Sequence, residues 1–141
     1  MEYLHDLQPK AGLLPSTPDR RGVVRMITEM ITSGIQPLQN PTVMKRHSSD
    51  PAARLTWAQH WISVGFSALE KVLVNTAGLY CVGDNITMAD CCLVPQVFNA
   101  RHRWELDLAQ YPTIVAIEAR LSQLEPFIKA SPANQPDCPK E

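Results

Sequence analysis

Few residues of this chain pair a reactive side chain with a telling spacing. Cysteines stand at 81, 91, 92 and 138. They form no Cys-x-x-Cys pair and no histidine lies at finger spacing, so neither a redox dithiol nor a zinc site is expected and no metal is assigned. Cys91 and Cys92 are neighbours in an apolar run, where a reduced thiol behaves as a small hydrophobe. Thr87-Met88-Ala89-Asp90 sets a hydroxyl three residues before a carboxylate. This is the acidic form of a capping box, in which each side chain satisfies an orphan backbone N–H of the other residue, and a structural role for Thr87 and Asp90 follows. Arg101 and Arg103 follow an apolar helix and precede Trp104. A guanidinium there can hold a carboxylate in a bidentate fork or simply complement a helix C-terminus. Gln36 precedes Pro37 and on local grounds caps a kinked helix.

These side chains need elements to position them, and the elements read as helices. No run alternates with period two, and no Asn-Gly or Asp-Gly turn joins β-branched stretches. Residues 1–7 suit the last turns of a helix, followed by a connector marked by Pro9, Gly12, Pro15 and Pro18. A helix opens with Thr17 as N-cap and Pro18 at its first position, and its apolar stripe is Val23, Val24, Ile27, Met30, Ile31, Ile35 and Leu38. Pro37 predicts a kink or an end near Gln36. A second helix starts at Asp50-Pro51 and runs for about 26 residues, some 40 Å, to Gly78 as a left-handed stop. Trp57 and Trp61 share one of its faces. The segment from Thr87 to about residue 100 is apolar around nearly its whole circumference and belongs in the middle of a bundle. The last helix begins at Pro112 and stops before Pro126.

The chain has 141 residues, 45% hydrophobic, with thirteen Lys and Arg against fourteen Asp and Glu. That excludes a disordered or collagen-like chain. Its basic pairs are too scattered for a nucleic-acid groove, no stretch is long and apolar enough to span a membrane, and the start lacks signal-peptide character. A cytoplasmic protein is expected.

The helix order with its Thr-x-x-Asp box resembles the C-terminal domain of soluble glutathione transferases. Gly34-Ile35-Gln36-Pro37-Leu38-Gln39-Asn40, Leu55-Thr56-Trp57-Ala58-Gln59, Tyr80-Cys81-Val82-Gly83-Asp84 and Val94-Pro95-Gln96-Val97 with Asn99-Ala100 look like the zeta class, the maleylacetoacetate isomerases. The resemblance extends over the whole chain and implies an all-α glutathione transferase C-terminal helical bundle at 16–130. Residues 1–15 then resemble the last helix of a thioredoxin-like domain and its linker, and 131–141 are an irregular tail.

The resemblance further implies a glutathione-dependent enzyme of tyrosine and phenylalanine catabolism that takes a small dicarboxylate, and a homodimer in full-length form. By the same resemblance Gln36, Asn40, Pro41 and Thr42 face glutathione. The substrate-anchoring arginine of the family lies just before an aromatic residue; Asn99-Ala100-Arg101-His102-Arg103-Trp104 contains one extra residue, and Trp104 favours Arg103 over Arg101. The family's Ser-Ser-Cys-x-Trp-Arg loop, which activates the thiol, has no counterpart in these residues, so no catalytic residue is assigned and the chain alone is expected to be inactive. An apolar patch is expected along the first and third helices of this reading. The alternative is a non-catalytic helical module that uses the same fold for association.

Overall fold

The structure is a computed structural model that describes residues 1–138; of the 131–141 tail, residues 139–141 lie outside the described part. Among the described residues it holds helices and turns, with only isolated bridges around Gly83 in place of strands.

Helix α1 (Glu2–Leu7) is followed by a short turn, and α2 (Pro18–Glu29) starts with Pro18 in its first turn, as the sequence predicts. Thr17 occupies the N-cap without a side-chain bond to the backbone; its hydroxyl instead bonds the Asp19 carboxylate and helps hold it below the usual range. α2 passes into a wide π turn (Met30–Ile35) and then a tight 3₁₀ turn (Gln36–Gln39). Two short helices went unread in the sequence: α3 (Pro41–His47) and α7 (Glu125–Ala130), each with proline in its first turn. Pro126 therefore opens a helix as well as following one.

Helix α4 (Pro51–Thr76) is the long rod, with the Asp50 carboxylate accepting the Ala52 N–H at 3.1 Å. It ends at Thr76, and Gly78 is not a left-handed stop: positive φ occurs at Gly83 (71°) and Gly12 (74°) instead. Gly78 is needed for another reason, since a Cβ there would lie 2.3 Å from Asp84 Oδ1. Helix α5 (Met88–Phe98) packs against α2 and α6 (Pro112–Leu121) and is the centre of the bundle. Its Leu93 and Val97 are wholly buried in one core with Ile27 of α2, Ile31 of the π turn, Ile62, Phe66 and Leu69 of α4, and Ile114 and Ile117 of α6. Such an all-round apolar helix is stable only when enclosed.

The N-terminus of α6 is capped across the bundle. Glu70 on α4 accepts the Thr113 N–H at 2.7 Å and the Ile114 N–H at 3.0 Å, placing a carboxylate at the positive end of the helix dipole. Among the described residues no helix is long and apolar enough to cross a membrane.

Candidate functional site

The turn after α2 is shaped by a helix crossing. Gly65 on α4 has no side chain, and a Cβ there would stand 2.3 Å from Ile35 Cγ1, so Ile35 sinks fully into the space glycine leaves. Pro37, with no N–H to give, cannot carry the α-helix through the turn. The widened π turn and the tightened turn after it accommodate both constraints.

Gln36 emerges half-buried, and its side-chain amide makes no hydrogen bond among the described residues. It sits in the kink the sequence predicts, yet its side chain caps nothing. Trp57 Nε1 donates to the Leu38 carbonyl at 2.8 Å and pins the turn to α4. Asn40 is the N-cap of α3, its Oδ1 accepting the Thr42 N–H at 3.0 Å, with Pro41 at a position where the missing N–H costs no helical bond. Asn40, Pro41 and Thr42 are all exposed.

Arg103 ends a second π turn (Asn99–Arg103) that continues α5. Its guanidinium lies 4.8 Å from the ring centroid of Trp104, exposed and without a carboxylate partner among the described residues. Arg101 points elsewhere, its guanidinium 3.0 Å from Glu118 on α6. Of the two arginines, Arg103 is therefore the one whose charge is unspent.

A buried polar chain joins the two turns. Trp104 Nε1 donates to Gln39 Oε1 at 2.7 Å, and Gln39 Nε2 donates to Gln96 Oε1 at 2.5 Å. Gln59 Nε2 holds the Trp104 carbonyl at 2.9 Å. Gln39 and Gln96 are 7% and 0% exposed, so these bonds form away from water. Sequence reading missed Gln39, Gln96 and Trp104 as a group. The available signal was Gln96, a polar residue inside an otherwise apolar helix, which must find a partner when buried.

Thr87 and Asp90 are 1% and 0% exposed, and Asp90 lies wholly inside the bundle. The capping box is present at the start of α5. Asp90 Oδ2 accepts the Thr87 N–H at 2.8 Å and the Thr87 hydroxyl at 3.0 Å, while Oδ1 accepts the Cys81 N–H at 2.9 Å. The carboxylate thus ties the preceding loop to the core helix. Burial, reinforced by this carboxylate, pushes the Cys81 thiol far up; burial and Asp90 also raise Cys91, and Cys92 is pushed up to about 11, mainly by burial. None of these thiols is prepared as a nucleophile.

An apolar groove of about 870 Å³ runs along α5 between the 11–13 connector and α7, lined by Leu13, Val94, Phe98 and Phe127 among others. It uses the core helix as expected, but its other walls are the connector and α7 instead of the first long helix. None of Gln36, Asn40, Pro41, Thr42 or Arg103 lines it. Among the described residues no cluster of three or more His, Cys, Asp or Glu could hold a metal.

An all-helical bundle around a capped, enclosed core helix defines the class of protein, and residues 42–130 match the family described as glutathione S-transferase, C-terminal domain. The chain belongs to that family. Its relatives are isomerases of the zeta class: it is 52% identical over 141 residues to the probable maleylacetoacetate isomerase 1 of Drosophila melanogaster, covering 100% of this chain and 56% of that protein. It is also 52% identical to the maleylacetoacetate isomerase of Mus musculus, with 100% and 64% covered. It superposes with a TM-score of 0.94 on maleylacetoacetate isomerase from Anaeromyxobacter dehalogenans 2CP-1 with bound dicarboxyethyl glutathione and citrate in the active site, at 40% identity, covering 99% of this chain and 65% of that one. A maleyl pyruvate isomerase described as a bacterial glutathione S-transferase in the zeta class gives a TM-score of 0.93 at 39% identity, with 98% and 68% covered. The chain spans about three-fifths of the length of the curated relatives.

Proposed function

We propose that these residues form the C-terminal, dicarboxylate-facing part of a glutathione-dependent maleylacetoacetate isomerase that works in the cytoplasm in tyrosine and phenylalanine breakdown, as a homodimer at full length. The observation that carries this reading is the Arg103 guanidinium, without a carboxylate partner among the described residues and 4.8 Å from the centroid of the Trp104 ring, whose indole N–H bonds Gln39 in the turn that follows Gln36. Glutathione supplies the thiolate whose addition turns a cis double bond into a rotating single bond and whose departure leaves the trans isomer. Arg103 offers a planar fork to a substrate carboxylate and to negative charge that grows on the neighbouring oxygen as the thiolate adds. Gln36, Asn40, Pro41 and Thr42 form the wall that faces glutathione, with the Gln36 amide, free of internal partners, as its principal polar group. The thiol-activating loop is not among these residues, so they bind and orient while activation comes from outside them.

The test joins this chain to the N-terminal part of an isomerase relative and compares Arg103→Ala with Arg101→Ala. Losing a charged hydrogen bond to the substrate should lower kcat/KM for maleylacetoacetate by roughly 10- to 100-fold in the Arg103 variant, chiefly through KM. A damaging Arg101→Ala with a neutral Arg103→Ala would transfer the role to Arg101. The second reading, a non-catalytic association module, draws its support from the apolar groove along α5, since exposed surface of that kind marks contact sites.

A further inference from the structure

We infer that Gln39 is a positioning residue for the dicarboxylate site, acting through the Trp104 ring on the Arg103 guanidinium. The inference deepens the proposed function and rests on its assignment of Arg103 to a carboxylate.

The chain of contacts is continuous. Gln96, wholly buried on the core helix, accepts from Gln39 Nε2 at 2.5 Å, and Gln39 Oε1 accepts from Trp104 Nε1 at 2.7 Å. The Trp104 ring, only 8% exposed as a residue, carries the Arg103 guanidinium 4.8 Å from its centroid. Each end of the Gln39 amide is committed in a direction that only an amide can serve: its NH₂ gives to Gln96 and its carbonyl takes from the indole. An apolar residue of the same length fills the space but leaves the indole N–H and the Gln96 carbonyl buried without partners. The ring then loses the one bond that fixes its indole edge, and the guanidinium resting on it is seated less firmly. Gln39 also lies three residues after Gln36 and directly before Asn40, so the same amide fixes the distance between the glutathione-facing turn and the arginine.

An arginine spread over many rotamers binds a two-point ligand less well than one already seated, because the ordering cost falls on the binding step. The expected consequence is a loss of dicarboxylate affinity that exceeds any general loosening of the fold.

The test uses the 141-residue chain itself, labelled with nitrogen-15 and titrated with malonate, following the Arg103 Nε–H and Trp104 Nε1–H resonances. In the parent both should move with one saturation curve. Gln39→Met should displace the Trp104 indole resonance before any ligand is added and weaken malonate binding at least fivefold. Ile62→Val, a core trimming at a residue that makes no bond in the network, should lower Tm while leaving the titration as in the parent. Gln39→Glu, which keeps an acceptor for the indole, should recover part of the lost affinity. The inference is overturned if Gln39→Met titrates like the parent, if Ile62→Val weakens binding as much as Gln39→Met, or if malonate shifts Arg103 without Trp104. Should Gln39→Met not fold, Gln39→Glu decides: the inference holds if the indole resonance is displaced and malonate binds more weakly than to the parent, and is overturned if this variant titrates like the parent. A parent that ignores malonate removes the carboxylate role of Arg103 and this inference with it. A joined enzyme that fails to turn over while malonate still binds through Arg103 and Gln39 counts against the isomerase reading alone.

Discussion

Replacing Asp90 with alanine removes the acceptor of three hydrogen bonds at once: Thr87 N–H at 2.8 Å, the Thr87 hydroxyl at 3.0 Å and Cys81 N–H at 2.9 Å. An exposed cap is worth about 0.5–2 kcal/mol. This one is 0% exposed, and two of its donors are buried backbone amides that water cannot reach once the carboxylate is gone. Each unsatisfied buried amide costs about 1–3 kcal/mol, and bonds to a charged acceptor are the stronger kind. The terms overlap, and the loop around Cys81 can relax, so the expected loss is about 3–5 kcal/mol, a large share of the 5–15 kcal/mol that roughly bounds domain stability. In urea unfolding followed by tryptophan fluorescence, with m of about 2 kcal/mol/M, the midpoint should fall by about 2 M. Asp90→Asn keeps one acceptor oxygen and should lose roughly half as much. An Asp90→Ala chain that unfolds within about 0.5 kcal/mol of the parent at unchanged m would refute the view that this carboxylate holds the core helix to its preceding loop.

Glu70→Ala should cost about 1–3 kcal/mol by uncapping α6 from a distance, and hydrogen exchange should quicken first at the Thr113 and Ile114 amides, which donate to it. Gly65→Ala drives a methyl into Ile35 and should cost about 1–3 kcal/mol, with Ile35→Val in the same chain recovering part of the loss. The thiols predict a pH effect of definite sign: Cys92 is raised from 9.0 to about 11, and Cys81 and Cys91 are also raised. Between those values the folded chain keeps protons the unfolded chain has released, so stability is full below about pH 9 and is lost as pH rises towards 11. Melting temperatures across pH 8–11 check this, and a Cys92→Ala chain should show a shallower decline.

The long elements were legible because burial writes a period into sequence. Ile27, Ile31 and Ile35 line one face of α2 and its continuation, and the enclosed α5 shows almost no polar face at all. Short elements carry too few turns for a period. Pro41, which the resemblance puts in a glutathione-facing stretch, and Pro126, which reads as a stop, each sit in the first turn of a short helix, the place where proline costs least. Gly78 was misread for a comparable reason: glycine marks either positive φ or close approach, and only the packing of Asp84 against it says which. At the site, the family resemblance points to Arg103 and Gln36 one at a time. The bond that joins their turns, from Trp104 to Gln39, spans 65 positions and appears only after folding.

The most direct measurement of the central claim is glutathione-dependent conversion of maleylacetoacetate to fumarylacetoacetate by this chain alone and by the same chain joined to the N-terminal part of an isomerase relative. The account predicts no turnover above background from the 141 residues and restored turnover in the joined protein, abolished or strongly weakened there by Arg103→Ala. Full activity from the chain alone, or a well-folded joined protein with none, would contradict it.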